Sequence, residues 1–113
     1  MCNQSQAIMI MGELYAFCQP VFGSSMKDAY LYGSYARGDY HVESDIDILL
    51  TVDLDPEQIA RMRTRVALIT SELSLKHDIT VSVTVKPFDQ FVRYSKVLPY
   101  YKNVLGEGIR YAS

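Results

Sequence analysis

Residues 31–50, LYGSYARGDYHVESDIDILL, combine a Gly-Ser turn with two aspartates that stand one residue apart at the start of an apolar run. The run from Asp45 to Val52 is rich in β-branched residues and leucine, so it predicts a strand. Side chains two residues apart in a strand point to the same face, so Asp45 and Asp47 project together. This acidic pair is either a solvated strand edge or a site that binds a cation.

The remainder of the chain predicts a small mixed β-sheet with helices packed on one face, an α/β (α+β) fold. Apolar residues recur at helical spacing over 5–22 and 59–73, and the first helix is expected to end near Gln19-Pro20. Strand-forming residues occupy 29–32 and 78–85, and strict alternation in the latter puts Ile79 and Val81 on a buried face.

Polar and proline residues predict where the later helices begin. Asp55, Pro56 and Gln58 are typical of a helix N-terminus, as N-cap, first helical residue and N3 residue. Pro87 and Pro99 each indicate the start of a short helix, the second ending near 106–108.

Composition favours one globular domain over residues 1–113, because almost half of the residues are hydrophobic. The net charge of -2 and the scattered basic residues argue against an extended nucleic-acid surface. No run is long enough to span a membrane and the start does not resemble a signal peptide, so we expect a cytoplasmic protein. Cys2 and Cys18 lack the spacing of metal ligands and are expected to be free thiols, with Cys18 packed on a helix.

A third aspartate opens the third predicted strand. Asp78 shares a face with Thr80 and Ser82, so neighbouring strands would bring three carboxylates together at one end of the sheet. Three anions repel one another unless a cation lies among them, and hard oxygen ligands suit Mg²⁺ or Mn²⁺. Two such ions form the usual clamp for phosphoryl or nucleotidyl transfer.

The turn at Gly33-Ser34 is a candidate phosphate-binding element. Glycine lets the backbone approach a ligand closely, and a helix N-terminus offers free N–H groups to phosphate oxygens. The Ser34 hydroxyl adds a donor, and Arg37 could neutralise phosphate charge. Taken singly, each piece has an ordinary structural explanation as a turn, a solvated strand edge or a strand start. The joint occurrence of the pieces, in this order, favours a site.

These motifs resemble the minimal nucleotidyltransferases of the polymerase-beta-like superfamily. Gly33-Ser34, ten residues, then Asp45-Ile46-Asp47 matches their G-S-x10-D-x-D signature, and the likeness extends over nearly the whole chain. The resemblance implies two Mg²⁺ ions (Mn²⁺ as the alternative) bound by Asp45, Asp47 and Asp78. It also implies catalysis by these aspartates and binding of the β- and γ-phosphates of ATP by Gly33 and Ser34.

The resemblance further implies a biological role. Stand-alone minimal nucleotidyltransferases are paired with a HEPN protein in type VII toxin–antitoxin systems, where the antitoxin transfers AMP from ATP to a tyrosine hydroxyl of the ribonuclease toxin. The expected partners are therefore ATP and a cognate HEPN toxin, in a hetero-oligomer. Two alternatives stay open: an antitoxin that only binds and occludes its toxin, and an enzyme that acts on a small molecule or RNA hydroxyl.

Overall fold

The computed structural model of the protein describes residues 2–111. Four strands form one mixed sheet in the order β3-β2-β1-β4. Strand β2 runs antiparallel to β1 and parallel to β3, and the short β4 pairs antiparallel with β1. The elements in chain order are α1 (Gln4–Phe22), a 3₁₀ turn (Gly23–Ser25), β1 (Met26–Tyr32), α2 (Ser34–Arg37), β2 (Ile46–Val52), α3 (Pro56–Arg61), α4 (Arg63–His77), β3 (Val81–Pro87), α5 (Phe88–Tyr94), α6 (Pro99–Glu107) and β4 (Ile109–Arg110).

The expected mixed sheet with packed helices is confirmed. The long helices α1 and α4 cover one face of the sheet, where the alternate β2 residues Ile46, Ile48 and Leu50 are fully buried against them. The two short helices α5 and α6 cover part of the opposite face around Leu49, through residues that include Phe91. The first half of β2 on that second face stays open, and this opening contains Asp47.

Local signals in the sequence account for several boundaries. Asp55 caps α3 by accepting a hydrogen bond from the Gln58 N–H, with Pro56 as the first helical residue, as predicted. Pro87 and Pro99 begin α5 and α6 as N-cap and first residue respectively. Cys18 is a buried free thiol on α1, as expected.

Three boundaries differ from the prediction. Helix α1 continues past Pro20 to Phe22, because burial of Phe22 in the core holds the last turn in place. The single helix expected over 59–73 is two helices, separated at Met62, and nothing in the sequence at that position explains the break. Strand β3 begins at Val81 and not at Asp78, because α4 extends to His77 and Asp78 ends it.

No helix within residues 2–111 combines the length and the hydropathy that crossing a membrane requires.

Candidate active site

The acidic pair lies at the amino end of β2, on the open part of the second sheet face. Asp45 is exposed just before the strand, and Asp47 is partly buried within it. Burial and repulsion from the Asp45 carboxylate raise the pKa of Asp47 above its ordinary value, and the Arg37 guanidinium partly offsets this increase. The pair is therefore a concentration of negative charge that a bound cation would relieve.

The Gly33-Ser34 turn lies directly against this pair. Tyr32, the last residue of β1, is the cross-strand partner of Asp47, so the turn that follows Tyr32 passes beside the carboxylate. A Cβ atom added at Gly33 would lie 2.7 Å from Asp47 Oδ2, and Gly33 has a φ of 77°. Both the close approach and the positive φ require glycine at this position.

Helix α2 begins at Ser34, directly after the glycine that lies against Asp47. The Gly33 carbonyl accepts hydrogen bonds from the Ala36 and Arg37 N–H groups, which closes the first turn of the helix. The earlier N–H groups of a helix have no carbonyl partner within it, so those of Ser34 and Tyr35 remain for an external acceptor such as a phosphate oxygen.

Arg37 ends the same short helix on the surface. Its guanidinium donates to Asp39 Oδ2 at 3.2 Å and to Glu107 Oε2 at 3.4 Å. These two exposed carboxylates raise the pKa of Arg37, so the side chain stays positively charged. Arg37 is thus near enough to lower the pKa of Asp47, but its hydrogen bonds are made to other acids.

The structure does not bring Asp78 to the pair. Asp78 adopts the left-handed conformation, with a φ of 52°, and its N–H donates to the Ser74 carbonyl as the cap of α4. It lines a cavity of about 360 Å³ together with α1-side residues such as Cys2 and Gln6, and with Tyr35 and Val42 from the segment between the turn and the acidic pair. The expected convergence of three carboxylates is therefore not found, because Asp78 precedes β3 instead of opening it.

Hydroxyl groups occupy the neighbouring strand position instead. Ser82 is the β3 partner of Asp47, and Thr84 is the partner of Leu49 two residues further along the same face. Within residues 2–111, no three His, Cys, Asp or Glu side chains are arranged to hold a metal ion together. Two carboxylates still suit Mg²⁺ or Mn²⁺, because Mg²⁺ is commonly held by one or two carboxylates plus substrate phosphates and water.

Two tyrosines, Tyr32 and Tyr100, form the inner wall of the site, which the sequence did not predict. The Tyr100 hydroxyl, from α6, donates to the Tyr32 hydroxyl at 2.9 Å, and the two rings meet edge to face at 5.6 Å. Burial and this hydrogen bond raise the pKa of Tyr100 far above its ordinary value, so it stays a neutral donor. Tyr32 could have been assigned to the site because it directly precedes the Gly33-Ser34 turn, whereas nothing in the sequence placed Tyr100 there.

The tyrosines that flank the motif pack on each other. Tyr35 and Tyr40 have ring centroids 4.6 Å apart and an interplanar angle of 13°, and Tyr35 is buried. Their stacking packs the loop between the turn and the acidic pair against the core side of α2.

Comparisons with known proteins show the family of the chain. Residues 19–111 match the nucleotidyltransferase domain family. Two proteins of Methanocaldococcus jannaschii, both named "Putative protein adenylyltransferase", are similar to this chain. One is 36% identical over 86 residues, covering 74% of this chain and 75% of the relative. The other is 35% identical over 77 residues, covering 68% and 76%.

Solved structures show the same fold. A crystal structure described as a toxin–antitoxin with AMP-PNP superposes with a TM-score of 0.57 at 19% identity, covering 94% of this chain and 73% of that chain. A crystal structure described as a "putative nucleotidyltransferase" of Sulfolobus solfataricus gives a TM-score of 0.52 at 25% identity, covering 80% and 75%. A mutant of the MntA–HpeT toxin–antitoxin gives 0.51 at 18% identity, covering 99% and 74%.

Proposed function

Because the chain belongs to the nucleotidyltransferase domain family, we propose that it transfers AMP from ATP to a tyrosine hydroxyl of a partner HEPN ribonuclease toxin, and so acts as an antitoxin in the cytoplasm. The observation that carries this proposal is the contact of the Asp47 carboxylate with the Gly33 turn, where a Cβ would lie 2.7 Å from Oδ2. The carboxylate proposed to bind a cation thus lies beside the turn proposed to bind phosphate. The relatives named protein adenylyltransferases support a protein acceptor, and the toxin–antitoxin structures support a toxin partner.

The reaction is an in-line displacement at the α-phosphorus. The acceptor hydroxyl oxygen forms a bond to the α-phosphorus and loses its proton, while the bond from the α-phosphorus to the bridging β-oxygen breaks and pyrophosphate leaves. The protein contributes mainly position and charge stabilisation in such a transfer.

Different residues are assigned to phosphate binding and to metal binding. The Ser34 and Tyr35 N–H groups and the Ser34 hydroxyl bind the β- and γ-phosphates, and Gly33 leaves room for them beside Asp47. Asp45 and Asp47 would hold Mg²⁺, or Mn²⁺, with two ions per site as the family resemblance implies. A bound metal would supply positive charge that stabilises the phosphates. Arg37 contributes positive charge at the end of the turn.

The family resemblance implies that Asp78 completes the metal site and takes part in catalysis. Its place as the α4 cap gives no support for that role, so the proposal rests on Asp45 and Asp47. Replacing Asp78 with Asn tests the difference directly: AMP transfer that falls as far as in Asp45→Asn would restore Asp78 to the site.

Intact-mass measurement of the acceptor tests the proposed function. The protein is incubated with Mg²⁺, each of the four nucleoside triphosphates in turn and the proposed HEPN partner, and the mass of the HEPN protein is then recorded. We expect an increase of one or more AMP units with ATP, and none with Asp45→Asn. Asp53→Asn is the matched control, because Asp53 is an exposed carboxylate that follows the far end of the same strand.

The outcomes separate the alternatives. Undiminished transfer by a protein that lacks both Asp45 and Asp47 carboxylates would contradict the enzyme mechanism. Neutralisation of the toxin by that double variant, with no mass increase in either protein, would favour occlusion. Labelling of small molecules or RNA ends in place of the HEPN protein would favour a different acceptor.

A further inference from the structure

An exposed apolar strip adjoins, along the chain, a residue in the wall of the site. It consists of Val97 and Leu98, which link α5 to α6, and of Pro99 and Tyr100, the first two residues of α6. Val97 is 68% exposed and Leu98 is 42% exposed, and Tyr100 reaches the site itself through its hydrogen bond to Tyr32. The strip is therefore a run of consecutive exposed residues whose last member, Tyr100, contacts the wall of the site.

The backbone of the strip is fixed, although its side chains face solvent. The Val97 and Leu98 N–H groups both donate to the Tyr94 carbonyl, at 3.1 and 2.9 Å, and the Leu98 carbonyl accepts from Lys102 N–H at 2.9 Å. Helix α6 is in turn held on the sheet by Tyr101 and Val104, which are buried. Apolar side chains that are exposed on a fixed backbone are preorganised for contact with another molecule.

Two exposed lysines, Lys96 and Lys102, stand on either side of the strip in the chain, and residues 95–106 include no acidic residue, although the whole chain has a net charge of -2. Arg93 instead lines a cavity together with Asp53, Asp55 and Asp89. The other border of the site differs, because α2 offers Arg37 already paired with Asp39 and Glu107.

We propose that this strip is the docking surface for the acceptor protein, and that the acceptor contacts it with an apolar patch bordered by acidic side chains. This inference rests on the proposed function, because a protein that brings a hydroxyl to the α-phosphate must lie against the border of the site. The phosphates occupy the Gly33-Ser34 side, so the acceptor meets the Val97–Tyr100 side. Central apolar contacts with a charged rim are the usual composition of such an interface.

Paired variants test the surface without touching the site. Val97→Ser with Leu98→Ser removes the apolar side chains, and the fold should tolerate it: Val97 lies in a turn, and serine is a good N-cap at position 98, where leucine now caps α6 without a side-chain hydrogen bond. The matched control is Leu68→Ser with Leu75→Ser. These two leucines are 62% and 84% exposed on α4, which covers the other face of the sheet.

Two binding measurements decide the result, with the HEPN protein and with ATP plus Mg²⁺ as separate probes. We expect the strip variant to bind the HEPN protein at least about 10-fold more weakly, with a matching rise in the KM for that acceptor. Its affinity for ATP should equal that of the wild type, and the control variant should match the wild type with both probes.

Charge-reversal variants test the lysines independently of the serine variants. Lys96→Glu should slow association with the HEPN protein and weaken the dependence of association on salt, whereas Arg65→Glu on α4 should change neither. Wild-type binding and AMP transfer by the strip variant would overturn the docking surface and leave the proposed function intact. Failure of the wild type to bind or modify the HEPN protein would overturn both, and this result is distinct because ATP binding would persist.

Discussion

Replacing Asp47 with Asn should stabilise the protein in the absence of divalent metal while removing its activity. The two acidic Cα atoms are about 6.6 Å apart along the strand. Coulomb's law gives roughly 0.6 kcal/mol of repulsion between unit charges at ~7 Å in bulk water, and roughly 2.4 kcal/mol at an effective dielectric constant of about 20. Asp45 is exposed and Asp47 is only partly buried, so we expect a gain of about 1 kcal/mol in the free energy of unfolding.

Thermal unfolding measures this gain. For a domain near 100 residues, about 1 kcal/mol corresponds to roughly 4 °C in Tm. The gain should be full at pH 7 in metal-free buffer. The folded-state pKa of Asp47 is raised, so the destabilisation exists above that pKa and is lost as the pH falls through it towards the unfolded value near ~3.9. The advantage of the variant should therefore shrink in acid.

Adding Mg²⁺ should reverse the order of stability of the wild type and the Asp47→Asn variant. Mg²⁺ at ten times its dissociation constant should stabilise the wild type by about 1.4 kcal/mol and the Asn variant by much less. Asp78→Asn is the control, because asparagine tolerates the left-handed conformation that Asp78 adopts. Its response to Mg²⁺ should equal that of the wild type. A Tm of Asp47→Asn below that of the wild type in metal-free buffer, or an equal response of both to Mg²⁺, would refute the reasoning.

Three further substitutions address other parts of the molecule. Gly33→Ala forces a Cβ against Asp47 Oδ2 at a positive φ; it should cost about 1–3 kcal/mol of stability and weaken ATP binding at least about 10-fold, measured by calorimetry. Asp55→Ala removes a helix cap remote from the site; it should lower the free energy of unfolding by about 1 kcal/mol in a urea titration and leave AMP transfer unchanged. Tyr100→Phe removes the hydroxyl that donates to Tyr32; urea titration should show a loss of about 0.5–1.5 kcal/mol, and an unchanged midpoint would show that this hydrogen bond contributes nothing.

The elements that carry the proposed site could be predicted because their signals are local. The apolar run predicted β2, which begins at Ile46 directly after Asp45, and the Gly-Ser pair predicted the turn that contacts Asp47. The alternation of β3 likewise predicted which of its residues face the core. These inferences depend on the geometry of one strand and one turn.

The other features of the site depend on where α4 ends and on which elements pack against each other. Alternation alone could not show that α4 runs to His77, so that Asp78 becomes a helix cap and Ser82 becomes the neighbour of Asp47. The contribution of Tyr100 requires α6 to fold back over the sheet, which is a tertiary contact between residues 68 positions apart. No pattern within the 90–106 segment encodes that arrangement.

Transfer of label from ATP to the partner is the most direct test of the central claim. The protein, Mg²⁺ and the HEPN protein are incubated with ATP labelled either at the α-phosphate or at the γ-phosphate, and the label bound to the HEPN protein is counted. We predict that the α-label is transferred by the wild type, that the γ-label is not, and that a variant carrying Asp45→Asn and Asp47→Asn transfers neither. Incorporation of the γ-label, or full α-label transfer by the double variant, would contradict nucleotidyl transfer at the Asp45–Asp47 pair.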